Sequence, residues 1–245
     1  MKAKFFRLSS FSFTALFGLF NAGVHAATLV FSDDFSTANP AWQFGLTDTQ
    51  NNATAISASY GKIESGLLQL KANVGPGWDY LFSWAVLNQA LPANYEISYQ
   101  MQKTEWSGAL WTVVSGAGAF DLTPYPSYQF AEAGNTAYAL DIAISPTSDL
   151  IAPAADSNFN VGIWYNYKII KSGQHLETYV NGILQHSTNG LPFDGGTLEF
   201  AAVQAGATVN IDNLQVIDTA PEPGACVLLS IGVASLISHS RKRRV

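Results

Sequence analysis

The sequence predicts an all-β domain, a two-sheet antiparallel β-sandwich, over residues 27–219. Three observations predict it. Runs rich in Val, Ile, Tyr, Phe, Trp and Thr alternate with clusters of Gly, Asn, Pro and Ser, the pattern of strands joined by turns. No helical period of useful length occurs between residues 27 and 219. Asn181-Gly182, set between two such runs, is a hairpin signal, because both residues tolerate the positive φ of a tight two-residue turn. Regular strand and turn spacing over this length suits two packed sheets.

In chain order the candidate strands are Thr28–Phe31, Lys62–Ala72, Leu81–Leu87, Tyr95–Lys103, Ala109–Ser115 and Ala137–Ile144, followed by Trp164–Lys171, Leu176–Val180, Ile183–Ser187, Thr197–Gln204 and Val209–Ile217. Ser172-Gly173 and Asn181-Gly182 make a meander of the run from Trp164 to Ser187. Trp84, Trp111 and Trp164 fall inside strand runs and are expected in the core. Ser145 to Phe159 carries little pattern and is expected to be a surface loop.

The two ends read as targeting segments. Lys2, Lys4 and Arg7 precede the apolar stretch Phe11 to Phe20, and Val24-His25-Ala26 supplies a small-residue cleavage site, so residues 1–26 are expected to be a secretory signal peptide. Residues 220–245 hold Pro221-Glu222-Pro223, an apolar run and the basic end Arg241-Lys242-Arg243-Arg244. As a helix, residues 224–240 would reach roughly 25 Å at ~1.5 Å per residue. That is slightly short of a bilayer core of about 30 Å, a mismatch that thinning and snorkelling accommodate. The basic end would stay cytoplasmic and leave the domain outside.

This three-part tail resembles the PEP-CTERM sorting signal of Gram-negative bacteria, similar in logic to sortase signals. The resemblance implies an exported protein, tethered to the inner membrane by its C-terminal helix. An exosortase would then process it near Pro221-Glu222-Pro223, leaving the domain at the outer surface or in the extracellular matrix.

Without the two ends the charge balance changes. Of 12 basic residues five remain, and of 18 acidic residues 17 remain, so the domain carries a charge near −12 rather than the chain's −6. Such a charge repels phosphate backbones and excludes nucleic acid as a partner, while neutral glycans and cations stay compatible. The one cysteine, Cys226, lies in the tail, so the domain has no disulfide, thiol nucleophile or cysteine metal site.

Phe31-Ser32-Asp33-Asp34-Phe35, Trp42 and Ile63-Glu64-Ser65-Gly66-Leu67-Leu68 resemble the first half of a concanavalin A-like (laminin G-like) jelly roll. Trp164 to Ile170, Glu177-Thr178-Tyr179-Val180-Asn181-Gly182 and Val209 to Val216 resemble its second half. That superfamily includes lectins, carbohydrate-binding modules, glucanases and adhesion modules, so the resemblance implies a fold and not one activity. It also implies that the first and last strands pair, bringing Asp33 and Asp34 near Asp212. A structural calcium, which favours several oxygen ligands, is the cofactor those three carboxylates would hold; the alternative is that Asp33 and Asp34 cap a turn.

Hydrolysis of a glycoside needs two carboxylates across the scissile bond. The Glu-x-Asp-x-x-Glu strand of the superfamily's glucanases does not occur in this sequence. Glu199, Glu132 and Asp141 are isolated and expected at the solvated surface, as are His175 and His186. The chain is therefore expected not to be an enzyme.

Glycan binding uses exposed aromatic faces beside polar groups, and loops commonly carry them. Trp78, Asp79 and Tyr80 in a Gly/Pro loop, Trp106 beside Ser107-Gly108, and Tyr125 between two prolines are the candidates. The expected role is non-catalytic recognition of extracellular polysaccharide. A glycoside hydrolase-like enzyme and a purely structural surface protein are the alternatives.

Overall fold

The computed structural model describes residues 27–48, 58–73, 81–105, 109–116, 126–133, 137–145, 148–153, 160–191, 193–203 and 208–220. The two targeting segments lie outside the described residues, as do Trp78, Asp79, Tyr80, Trp106 and Tyr125. Ala27–Thr219 forms one unit by its internal contacts. Its described residues form 15 strands and no helix.

One sheet of eight strands runs in the order β13 (Ile183–Asn189), β12 (His175–Val180), β11 (Tyr165–Ser172), β6 (Tyr95–Lys103), β15 (Thr208–Asp218), β4 (Leu67–Lys71) and β3 (Tyr60–Glu64), with β1 (Thr28–Asp33) also on β15. β4 pairs the first part of β15, Thr208 to Ile211, and β1 pairs the second, Leu214 to Asp218. The first and last strands therefore close together, as the resemblance implied. The second sheet has seven strands, in the order β10 (Ser148–Pro153), β9 (Ala137–Ser145), β8 (Ser127–Ala133), β7 (Ala109–Ser115), β14 (Gly196–Val203), β5 (Leu81–Leu91) and β2 (Trp42–Asp48). Every pairing is antiparallel.

The core lies between the inner faces of the sheets. Side chains alternate along a strand, so every second residue of β6 (Tyr95, Ile97, Tyr99, Met101) and of β14 (Leu198, Phe200, Ala202) enters it. Polar aromatic tips are satisfied across the layer: the Tyr95 and Tyr128 hydroxyls share a hydrogen bond of 2.9 Å, and Tyr99 and Thr112 share one of 2.5 Å. Burial raises the ionisation of Tyr95 and Tyr128 well above the ordinary tyrosine value, so both stay neutral and one hydroxyl donates to the other. Phe200 packs edge-on against Tyr99 and tilted against Trp42, tying the sheets together.

Several expectations change. Lys62–Ala72 is not one strand but the hairpin β3–β4, because Ser65 (φ 57°) and Gly66 (φ 76°) make a two-residue turn with both residues left-handed. β2 and β8 were not expected, and β10 crosses the segment read as a surface loop. Trp164 lies outside β11 and is 37% exposed, so it is not core.

Candidate functional site

The seven-stranded sheet is buried on both faces along its centre. Phe200 and Leu198 point into the sandwich, so Glu199, Ala201 and Val203, which alternate with them on β14, point out of it. Strand register builds the outer face from there. Ala201 pairs with Trp84 on one side and Trp111 on the other, which sets two indoles on one row, roughly 10 Å apart by strand spacing. One row along, Glu199 stands between Val86 and Val113; the row on the other side carries Phe82, Val203 and Ala109.

Local packing holds these rings in place. Trp84 Nε1 donates to Thr47 Oγ1 at 3.0 Å. Its six-membered ring lies directly over Gly45, where any Cβ would collide with it. Phe82 and Trp111 pack at 5.4 Å between ring centroids. Trp84 and Trp111 are half-buried, whereas Phe82, Val86, Val113 and Ala201 are buried.

Glu199 is fully buried, at 0% exposure. Neither carboxylate oxygen has a hydrogen-bond partner among the described residues. Burial pushes its pKa up to about 8 from the ordinary 4.5, so at neutral pH it is mainly a carboxylic acid, able to donate and accept. The expectation of a solvated surface residue is therefore corrected: position 199 is polar on a strand whose other residues are apolar or small on both faces. A side chain of that kind, buried with no hydrogen-bond partner among the described residues, costs about 1–3 kcal/mol.

The carboxylates expected to bind calcium are not gathered into one ligand set. Asp33 and Asp34 line a cavity of about 350 Å³ with Asn213 and Gln215, as β1–β15 pairing requires, but Asp212 does not line it. Asp33 Oδ1 accepts from Phe35 N at 2.8 Å, and its Oδ2 accepts from Asn39 Nδ2 and Trp42 Nε1, both at 2.9 Å. Asp34 caps Ser36 N at 3.0 Å, which holds its carboxyl below the usual range. A bulge between Asp212 and Gln215 turns Asp212 Oδ1 onto Asn213 N at 2.7 Å. Asp33 and Asp34 thus cap their own turn, the alternative left open by the sequence. Among the described residues no group of three His, Cys, Asp or Glu could hold a metal.

The histidines separate. His186, expected at the surface, is buried: its Nδ1 shares a hydrogen bond with Thr178 Oγ1 at 2.9 Å, and its ring packs edge-on against Phe130. His175 sits at the rim between Asn189 and Glu177, and its bond to Glu177 raises its pKa.

No protein-family model matches the chain, and no curated protein matches it. Solved structures do. The laminarinase from Rhodothermus marinus superposes with a TM-score of 0.60 at 12% identity, over 80% of this chain and 99% of that one. The Bacillus licheniformis β-glucanase gives 0.57 at 14%, over 79% and 99%. A carbohydrate-binding module from Bacillus subtilis gives 0.51 at 12%, over 72% and 94%. The chain has the concanavalin A-like jelly-roll fold. At these identities the likeness carries the architecture alone, and the fold serves both carbohydrate-binding modules and glycoside hydrolases.

Trp84, Trp111 and Glu199 were missed as site residues because a tryptophan inside a strand run looks the same in sequence whichever sheet face it takes. Register settles the face, and register depends on partners far along the chain. The one signal available was Glu199, a charge inside the apolar run Leu198 to Val203.

Proposed function

We propose that this protein binds neutral extracellular polysaccharide, without turning it over, on the outer face of its seven-stranded sheet. The observation that carries the reading is the placing of two half-buried, positioned indoles, Trp84 and Trp111, on one row of that face. Indole faces pack on the C–H surfaces of sugar rings. The structural neighbours, which include a carbohydrate-binding module, support the ligand class.

A catalytic reading has one point in its favour, since a carboxyl protonated at neutral pH is what a glycosidase needs as its acid. Among the described residues its register row supplies no second member at a working distance. Along Glu199's register row the next acidic residue is Asp141, three strands away through Val113 and Gln129. That is roughly 14 Å by strand spacing, against about 5–9.5 Å for a working carboxylate pair.

We further propose that the protein is exported and held by its C-terminal segment, with an exosortase-type enzyme and the membrane as partners. The support is the order of the charged, apolar and Pro-Glu-Pro elements at the two ends.

The test is retention of the full-length chain on a panel of immobilised polysaccharides, comparing wild type with Trp84→Ala, Trp111→Ala and Glu199→Gln. Saturable binding, weakened at least tenfold by either tryptophan change in a folded protein, is expected. Binding that survives both substitutions would place recognition elsewhere. Product release from any glycan, abolished by Glu199→Gln, would replace recognition with hydrolysis.

A further inference from the structure

The opposite side of the sandwich carries a second surface that the first site does not use. On the outer face of the eight-stranded sheet, side-chain amides are linked across three strands. Asn213 Nδ2 donates to Gln100 Oε1 at 2.9 Å, and Gln100 Nε2 donates to Asn166 Oδ1 at 3.0 Å. The amides are thereby oriented, with the Asn166 amino group at one end of the chain and the Asn213 carbonyl at the other. The bulge in β15 and the left-handed φ of 53° at Asn213 aim its side chain across the sheet toward β6.

These residues and Tyr179 line a shallow cavity of about 530 Å³. One row along, Asn210 Nδ2 donates to Gln102 Oε1 at 3.0 Å. Asn210 is 7% exposed, and its Oδ1 accepts from nothing among the described residues. The row of oriented amides that lines the cavity, Gln100, Asn166 and Asn213, suits a hydroxyl-rich partner.

Charge narrows the occupant. The cation of the groove, Lys168, is neutralised by Glu96 at 2.8 Å. The domain as a whole is near −12, which repels an anionic polymer and a second copy of this chain. A neutral polysaccharide, with hydroxyls for the amides and a ring face for Tyr179, fits that lining.

We propose that this amide-lined groove is a second binding surface for neutral polysaccharide, so that one domain grips sugar chains on both outer faces and cross-links them. The proposal takes its ligand class from the reading above but stands on different residues. Two sites facing away from each other cannot engage one short ligand together; they bridge separate chains, and avidity for a dense polysaccharide follows.

The experiment compares the full-length chain with a Gln100→Ala/Asn166→Ala variant, a Tyr179→Ala variant and a Trp84→Ala/Trp111→Ala variant, all checked as folded by circular dichroism. The probes are laminaritetraose in solution and neutral polysaccharides in a turbidity assay, the panel covering β-glucans and other uncharged glycans. Two oligosaccharide sites per wild-type chain are expected, falling to one in each variant that loses a face. Cross-linking turbidity should disappear in all three variants, with apparent affinity for the dense polymer falling by roughly 10²-fold or more. Wild-type stoichiometry and turbidity in both the amide and the Tyr179 variants would overturn the second site and leave the first reading intact. A wild-type stoichiometry of one, unchanged in the tryptophan variant and lost in the amide variants, would refute the first reading and overturn cross-linking. Absence of binding by the wild type to every probe would overturn both.

Discussion

Glu199→Gln isolates a single buried proton. In the folded protein the Glu199 carboxyl titrates at about 8, against an ordinary 4.5 once the chain unfolds. Between those values the folded state holds a proton that the unfolded state has released, so stability falls as pH rises. The contribution is fully present below about pH 4.5 and is lost progressively as pH climbs through about 8. At pH 7 the distance from 4.5 corresponds to about 3 kcal/mol, and above pH 8 to about 5 kcal/mol. Glutamine keeps the shape and needs no proton. Because no partner for either oxygen is lost, the variant should be more stable than wild type at pH 7 by up to about 3 kcal/mol. For a domain of this size that is a rise in Tm of roughly 6–12 °C. Thermal unfolding of both proteins at pH 5, 7 and 9 gives the difference directly, and groups common to both cancel. The gap should be small at pH 5 and widen to pH 9. Parallel melting curves across that range would refute the burial of an uncompensated carboxyl.

Other substitutions probe the scaffold around the site. Asp33→Ala frees the Phe35 amide, the Asn39 amide and the Trp42 indole N–H together, and Phe35 holds a left-handed φ of 53°, so denaturant unfolding should show a loss of about 2–4 kcal/mol. Gly45→Ala forces the Trp84 ring off its seat; a cost of about 1–3 kcal/mol is expected, and glycan retention should fall as it does for Trp84→Ala. Lys171, 0% exposed, donates to Ala93 O and Gly173 O at 2.9 and 2.8 Å, so Lys171→Met should cost about 2–3 kcal/mol. Its ion-pair partner Asp194 is 75% exposed, and Asp194→Asn should change stability by less than about 1 kcal/mol.

The sequence was informative where chemistry is local. The Asn181-Gly182 hairpin, the meander from β11 to β13 and the central strands β5, β6, β7, β14 and β15 follow from alternation and turn residues within a few positions of one another. β3 and β4 merged because Ser65, unlike Asn or Asp, gives a weak left-handed signal. β2, β8 and β10 are short strands in which Gly, Ala, Ser or Pro dilutes the β-branched pattern, and their partners β5, β7 and β9 supply the order. The site is further from legibility still. Trp84 and Trp111 lie 27 positions apart in the chain and share a row only because β14, some 90 residues on, lies between β5 and β7. Their face is a property of the sheet and not of either segment.

The closure of β1 onto β15 has a mechanical consequence. Thr28 pairs with Asp218, so the chain enters and leaves the sandwich at one corner. A pull at Asp218 directed along β15 would load a strand bonded to β6 on one side and to β4 and β1 on the other. Under such a pull tension would be borne in shear, with many backbone hydrogen bonds loaded at once, rather than peeled apart one after another. A domain anchored through its last strand and gripping polymer on its faces would transmit force through the sheet's best-supported element.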